Sequence, residues 1–412
     1  MAQLPAVSLA AVPGRRTKII EIAQEFEKRG FPGIYGPSLG DSLSLCNAIA
    51  LSTKTIEVGT SITPIYTRNV IDFAQTAGFL NEISEGRFRF GIGVSHAPAM
   101  DRMGISPGKP LSDMRQFVQD LKAVPKVGDM PPIILATLRK KMIKLAEEIG
   151  EGMVFANGAR SHMSESLSVL KEESRAGKEF FIGNMIPTCI SEDKAAAAAV
   201  NRKTLTSYAF LPNYRNYWRE AGYEQEMTDI EDAIKKKDLD RIPECLSDRW
   251  LADTTLFGNA AEVREGIEAW FESGVKTPII VPSSAAGGQM QAIDEFLSLW
   301  QLITGHIVPT LRKQLPEKTE RLQLLETIIF DKPGKISNTL NWHQDVAYFP
   351  LNPNNQLAVW IPFEIVTAER GAMNYALGSH KLGIRGSTNL HTREVFENED
   401  RELIPEDPRS SG

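Results

Sequence analysis

Apolar and polar residues recur along most of this chain with two alternating periods, which predicts strands and helices in turn. The pattern is clearest over residues 59–98, where a β-rich run, a helical stripe and a second alternating run follow one another. The stripe extends from Val70 to Leu80, with Thr67 expected to cap the helix and Gly86 to end it. A strand, a helix and a parallel strand in this order make one βαβ unit.

The same pattern predicts eight strand–helix units, and therefore a parallel sheet closed into a (β/α)8 TIM barrel. Helices are expected over 161–175 and 260–272, with a long charged helical region over 192–249. Trp218 and Trp250 are expected to anchor the core of that region. The eight strands are predicted at 5–12, 33–38, 55–63, 87–94, 131–138, 152–158, 179–191 and 275–284.

Polar side chains follow two neighbouring strands at the point where each strand ends. Thr63 and Tyr66 follow the first strand of the 59–98 unit, and Ser95 and His96 follow the second. Ligands of βα barrels bind at this end of the strands. His96 is the candidate catalytic residue, because an imidazole with a near-neutral pKa at a barrel mouth suits proton transfer.

Composition and charge narrow the class of protein. The chain has 412 residues, of which 42% are hydrophobic and 24% charged, a composition typical of a soluble protein with a sizeable core. Its net charge of −6 argues against nucleic-acid or anionic-membrane partners. The three cysteines are widely spaced, which favours a reduced compartment. The sequence shows neither a signal peptide nor an apolar run long enough to span a bilayer. We therefore expect a cytoplasmic protein acting on a small molecule.

Three motifs carry a resemblance to a known family. They are VGTSITPIYTRN at 58–69, LNEISEGRFRFGIGVSHAP at 80–98 and PPIILATLRKKMIKLAEEIGEGMVFAN at 131–157. Together they resemble the luciferase-like monooxygenase superfamily over residues 5–302, in particular its F420-dependent, methylenetetrahydromethanopterin-reductase-like branch. The resemblance implies a TIM barrel that binds FMN or the deazaflavin F420 at its mouth. It also implies hydride transfer or oxygen activation there, and a homodimer is one candidate assembly.

The resemblance also implies site residues. It places a bulge with a non-prolyl cis peptide at Ser61–Ile62, and phosphate contacts from backbone amides at 156–159. The substrate side is expected to differ, because Tyr35-Gly36-Pro37-Ser38 replaces the family's W-x-x-E-H type pattern. The cofactor-binding residues implied are Thr60, Ser61, Ile62, Thr63, Ser95, Thr137, Ala156, Asn157, Gly158 and Ala159.

Each of these features also has a purely structural interpretation. The segment GIGVS at 91–95 lacks the third glycine of a dinucleotide fingerprint, so its glycines are also consistent with close packing. His96 is also typical of a hydrogen-bonded loop residue, and ANGA at 156–159 of a plain turn. Tyr66 and Arg68 are also typical of a helix start. A non-catalytic, degenerate barrel is therefore the alternative to an enzyme, and F420 and FMN are not distinguished.

The C-terminal quarter resembles a different family. Residues 338–383 contain WHQD, YFP, AVWIP and ERGAMNYALGSHK, and resemble the phytanoyl-CoA dioxygenases, jelly-roll enzymes that use Fe(II) and 2-oxoglutarate. His343 and Asp345 supply the H-x-D part of a 2-His-1-carboxylate site. The third ligand and the closing strands have no counterpart, so iron and 2-oxoglutarate are expected only if the segment is completed. The expected domains are the barrel at 1–302, a helical connector at 303–320 and a partial, β-rich dioxygenase-like segment at 321–412.

Overall fold

The computed structural model describes residues 3–38, 40–106 and 108–299 of the chain. Within these residues the chain forms nine strands, which alternate with helices along the sequence. The strands are β1 (Ala6–Ser8), β2 (Gly33–Gly36), β3 (Glu57–Pro64), β4 (Phe88–Gly93), β5 (Ile133–Ala136), β6 (Gly152–Ala156), β7 (Phe181–Ile190), β8 (Leu256–Gly258) and β9 (Thr277–Ser283).

Helices follow nearly every strand, and several more are inserted between β7 and β8. Short 3-10 turns at Arg160–His162 and Leu239–Arg241 accompany them. The α-helices are α1 (Arg16–Lys28), α2 (Ser42–Ser52), α3 (Val70–Ile83), α4 (Ala97–Arg102), α5 (Pro110–Ala123), α6 (Lys140–Ile149), α7 (Met163–Leu167), α8 (Glu172–Ala176), α9 (Lys194–Ala209), α10 (Pro212–Glu220), α11 (Glu224–Lys236), α12 (Ile242–Cys245), α13 (Asp248–Thr254), α14 (Ala260–Glu272) and α15 (Gln289–Ser298).

Eight of the strands close into a barrel in which every pairing is parallel. The ring runs from β1 to β7 in chain order, passes to β9 and returns to β1. The predicted (β/α)8 TIM barrel is confirmed. The remaining strand, β8, was not predicted: it lies outside the ring and pairs with the last residues of β7, so that β7 contacts three strands. Three residues are too few to show an alternating pattern in the sequence.

Two apolar layers flank the barrel wall, as its parallel strands require. The outer layer packs the strands against the surrounding helices, and the inner layer fills the ring. Tyr35 belongs to the inner layer, and its hydroxyl donates to Glu57 Oε2 over 2.9 Å at the start of β3. Since β3 starts at the N-terminal end of the barrel, Tyr35 closes the base. The difference on the substrate side that the Tyr35-Gly36-Pro37-Ser38 segment implies stays a prediction.

The helices inserted after β7 have a core of their own. Trp218 on α10 and Trp250 on α13 are fully buried, with ring centroids 4.7 Å apart and planes at 87°. An edge-to-face contact of this kind is favourable for aromatic pairs. Both residues therefore anchor the insertion, as predicted. The insertion helices also reach the barrel, because Trp218 Nε1 donates to the Asn157 carbonyl oxygen over 3.3 Å.

Two helix predictions need correction. Asn69, not Thr67, caps α3, since its side chain accepts from Ile71 N over 2.9 Å, while Thr67 donates to the Pro64 carbonyl oxygen. The helix predicted over 161–175 is broken into a 3-10 turn, α7 and α8. The break follows Leu167, where the chain turns to bury Leu170.

Throughout the described ranges, no helix combines the length and the apolar character needed to cross a bilayer.

Candidate active site at the C-terminal end of the barrel

Strand β3 carries a bulge close to its C-terminal end. Thr60 pairs with Phe90 and Thr63 pairs with Ile92. Between these two pairs, β3 has one more residue than β4, which is a β-bulge. A Cβ atom on Gly91 would lie 1.9 Å from the Thr60 carbonyl oxygen, so β4 needs glycine opposite the bulge. The bulge is therefore present where the sequence placed it, and the glycine serves close packing. The cis peptide at Ser61–Ile62 stays a prediction.

Four buried polar side-chain atoms stand around the strand ends with no hydrogen-bond partner among the described residues. They are Ser61 Oγ, Thr63 Oγ1, Thr137 Oγ1 and Asn157 Nδ2, at the ends of β3, β5 and β6. An unpaired buried polar atom costs free energy, and folded proteins rarely keep several together without a use for them. This group of atoms, the unpaired rim, is the strongest sign of a binding site in the described part of the chain.

The other residues predicted near the bulge have different roles. Thr60 is paired, because its hydroxyl donates to the Gly91 carbonyl oxygen over 2.7 Å and ties the bulge to β4. Ile62 is partly exposed, and its Cγ2 atom lies 2.8 Å from where a Cβ on Gly93 would be. The small Gly93 therefore leaves space that Ile62 partly covers, which makes Ile62 an apolar surface at the mouth.

His96 follows β4 and lies under aromatic residues of the insertion. Its ring centroid is 5.6 Å from that of Tyr214 and 6.5 Å from that of Tyr208. Burial lowers the pKa of His96 below its ordinary value of 6.5, so the imidazole is neutral at pH 7. A neutral imidazole has one nitrogen free to accept a proton. Ser95, just before it, has a φ of 62°, a left-handed conformation that non-glycine residues seldom adopt.

The backbone amides after β6 already have partners within the protein. Asn157, which has a φ of 57°, begins a tight turn at this point. A phosphate could bind these amides only by replacing their present hydrogen bonds, so the phosphate contact at 156–159 stays a prediction with an added cost. The amide of Asn157 donates to the Met185 carbonyl oxygen (3.1 Å), that of Gly158 to Asn184 Oδ1 (3.2 Å) and that of Ala159 to the Tyr217 hydroxyl (3.0 Å).

A carboxylate lies at the start of the following 3-10 turn. Asp253 on α13 accepts hydrogen bonds from Ser161 N (2.8 Å), Ser161 Oγ (2.7 Å) and the Tyr223 hydroxyl (2.8 Å). The side chain is buried, so these donors meet the carboxylate instead of solvent. Sequence reasoning missed Asp253, Tyr208 and Tyr214, because the insertion brings them to the mouth from far along the chain.

Tyr66 and Arg68, the two residues with open alternatives, have internal partners. The Tyr66 hydroxyl donates to Asp113 Oδ2 over 2.6 Å. Arg68 pairs with Asp41 at 3.2 Å and Asp72 at 3.7 Å. These contacts support the structural interpretation of both residues.

A family comparison agrees with this arrangement. The sequence model of the luciferase-like monooxygenase family matches residues 4–124 and 115–277, which is more than half of the chain. This chain belongs to the luciferase-like monooxygenase family. The predicted resemblance over the barrel is thereby confirmed. A second model, that of the phytanoyl-CoA dioxygenase family, matches residues 224–409 and begins at the first residue of α11.

Individual relatives of this luciferase-like chain are distant. It is 28% identical over 210 residues to the 5,10-methylenetetrahydromethanopterin reductase of Methanolobus tindarius, a match that covers 44% of this chain and 64% of that enzyme, just under two thirds. It is 26% identical over 301 residues to the reductase of the same name from Archaeoglobus fulgidus, covering 65% and 87%. The solved coenzyme F420 dependent tetrahydromethanopterin reductase of Methanopyrus kandleri has a TM-score of 0.58 at 18% identity, covering 75% and 99%, a likeness of fold.

The predictions for the C-terminal quarter lie outside the described residues. These are the connector at 303–320, the jelly-roll-like segment at 321–412 and the ligands His343 and Asp345. The dioxygenase family match agrees with the resemblance seen in the sequence.

Proposed function

We propose that this barrel is an oxidoreductase that uses a flavin-type cofactor, and that the cofactor is the deazaflavin F420. The unpaired rim carries the proposal, because it offers buried hydrogen-bonding atoms beside an apolar surface at the usual ligand end of a TIM barrel. The polar edge and flat face of a tricyclic ring need both kinds of contact. The F420 dependence in the names of the Methanopyrus reductase and of a putative coenzyme F420-dependent oxidoreductase of Mycobacterium tuberculosis, which is 23% identical over 281 residues, supports F420 over FMN.

The residues present fit the ring of such a cofactor better than its phosphate. Ser61, Thr63 and Thr137 would bond the polar edge of the ring, and Ile62 would support its face. Asn157 would contribute its side-chain amide, which lies beside the Tyr208 hydroxyl. The backbone amides proposed for the phosphate have partners already, so the fit is incomplete at that end.

When bound, F420 supplies hydride transfer at its C5 atom, and the protein orients the reactants. His96 would accept a proton from the substrate or return one, since its imidazole is neutral at pH 7. Tyr208 and Tyr214 cover His96 and would exclude water from the reacting atoms. The substrate would enter between the aromatic side chains and the bulge.

A titration of the purified full chain with F420, FMN and FAD, followed by absorbance and fluorescence quenching, tests the proposal. Tight binding of F420 with weak binding of FMN supports a hydride-transfer enzyme. Tight binding of FMN assigns an oxygen-using monooxygenase instead. Binding of none of the three would reject a cofactor enzyme and favour the non-catalytic barrel.

A second activity is proposed for the C-terminal quarter, on the strength of the dioxygenase family match. His343 and Asp345, two residues apart, would hold Fe(II) if the segment is completed by another part or partner. Anaerobic loading with Fe(II) should then give bound iron that His343→Ala loses. A chain that binds no iron under these conditions would rule this activity out.

A further inference from the structure

The buried carboxylate of Asp253 lies where the chain offers hydrogen-bond donors to an anion. Backbone amides that point outward at the start of a helical turn attract negative charge. In this chain they meet Asp253, which accepts two hydrogen bonds from Ser161 and one from Tyr223. Its three bonds span 2.7–2.8 Å, the range of charge-assisted hydrogen bonds.

Four of the neighbouring amides are also in use. The amide of His162 donates to the Ala159 carbonyl oxygen, and those of residues 157–159 donate to groups of β7 and α10. A phosphate that bound the Ser161 amide would have to displace Asp253. Two negative charges a few ångströms apart in a partly buried site repel strongly, so the carboxylate disfavours the phosphate.

Asp253 is held firmly in this position. It is 8% exposed, and it lies on α13 next to Thr254, whose hydroxyl bonds to the Trp250 carbonyl oxygen. Arg249 stacks on the ring of Tyr223, with its guanidinium carbon 4.5 Å from the ring centroid. The donor to Asp253 is therefore fixed as well as the acceptor.

We propose that Asp253 takes the place of a cofactor phosphate at the end of β6, so that the barrel recognises the ring of its cofactor and gains little from the phosphate. This inference rests on the proposed function, because it concerns the same mouth. Asp253 is thus a specificity-determining residue: it selects against the phosphate end, while the unpaired rim selects for the ring.

Pairs of ligands that differ at the phosphate test this inference by binding alone. Riboflavin and FMN form one pair, and the deazariboflavin core of F420 without and with a terminal phosphate, in both cases lacking the tail of F420, forms the other. Dissociation constants are measured by fluorescence titration for the unmodified chain, for Asp253→Asn and for Asp248→Asn. Asp248 lies on the same helix with a side chain 91% exposed, so its variant loses the same charge away from the amides.

In the unmodified chain we expect the two members of a pair to bind within about threefold of each other. Asp253→Asn should raise the preference for the phosphorylated member about tenfold, because the repelling charge is gone. Asp248→Asn should leave the ratio unchanged. If Asp253→Asn does not fold, the ratio in the unmodified chain still decides the matter.

Two results would overturn the inference while the proposed function stands. One is a preference of the unmodified chain for FMN over riboflavin of about thirtyfold or more. The other is an Asp253→Asn protein with the same ratio as the unmodified chain. Failure of all four ligands to bind would overturn the proposed function and this inference with it.

Discussion

Replacing Thr137 by valine should stabilise the free protein and weaken its binding of a cofactor. Thr137 is 6% exposed, and its hydroxyl has no partner among the described residues. Its backbone amide donates to the Val154 carbonyl oxygen over 2.8 Å, and valine keeps that bond. Because valine has nearly the shape of threonine, the substitution removes the hydroxyl and little else.

The magnitude follows from the unpaired state of the hydroxyl. A buried polar group without a partner costs about 1–3 kcal/mol, so Thr137→Val should raise the free energy of unfolding by about 1–2 kcal/mol. For a barrel of this size, that corresponds to an increase in Tm of about 2–3 °C. A cofactor that bonds to the hydroxyl would lose about 1 kcal/mol, or about fivefold in affinity.

Differential scanning calorimetry with and without cofactor measures both effects in one experiment. Thr228→Val on α11 is the matched control, since the Thr228 hydroxyl donates to the Glu224 carbonyl oxygen within its own helix. The control should change neither the affinity nor the cofactor-induced rise in Tm. A Thr137→Val protein less stable than the original chain would refute the reasoning, because it would mean that the hydroxyl has a partner in the free protein.

Three further predictions concern the bulge and the ionisable groups. Gly91→Ala should lower Tm by about 5 °C relative to Gly288→Ala, whose added Cβ would meet its nearest neighbour at an ordinary 3.5 Å, since overpacking costs about 3 kcal/mol. Burial lowers the pKa of His96, so the folded chain binds fewer protons than the unfolded chain just below pH 6.5. The free energy of unfolding, measured with urea, should therefore fall as the pH is lowered through this range. The fall should be smaller in His96→Gln. Hydrogen bonds from Arg219 lower the pKa of Glu231 to about 2, so its stabilisation is present above pH 4.5 and lost towards pH 2; Glu231→Gln should unfold about 1–2 kcal/mol more easily at pH 7 by the same measurement.

Each of these has an outcome that contradicts it. Equal Tm values for the two alanine variants would mean that the backbone at the bulge can move away from the added Cβ atom without loss of stability. A stability that is flat between pH 7.5 and 5.5 would contradict the burial of His96. If Glu231→Gln is as stable at pH 7 as the original chain, the contacts of Glu231 with arginine contribute no more than an exposed surface ion pair, and the prediction is wrong.

The sequence predicted those features that neighbouring residues determine together. The helical stripe, Gly86 and the two tryptophans are features of this kind, and so is the bulge, whose motif is contiguous. Gly86 has a φ of 78°, as its place at a helix end requires. The period of a strand or helix is written in consecutive residues, which explains why the barrel could be derived.

The features that sequence reasoning missed depend on contacts between distant segments. Tyr214 meets His96, and Asp253 meets Ser161, only because the insertion folds back over the mouth. The Tyr35 hydroxyl reaches Glu57 at the base of the barrel, a contact that the pattern of a strand does not reveal. The phosphate contact stays a prediction of the family resemblance, which carries no information about the donors and acceptors that this chain brings to the same place.

The pairing of β1 with β9 has a consequence for how the protein is made. Ala6 and Val7 pair with Ile279 and Ile280, so the ring can close only after almost the whole barrel sequence has left the ribosome. Until then, β1 has one open edge, and the growing sheet has another at its newest strand. Contacts so distant in sequence form slowly. We therefore expect synthesis of this chain to depend on protection of these edges, with nascent chains that stop before β9 prone to aggregate.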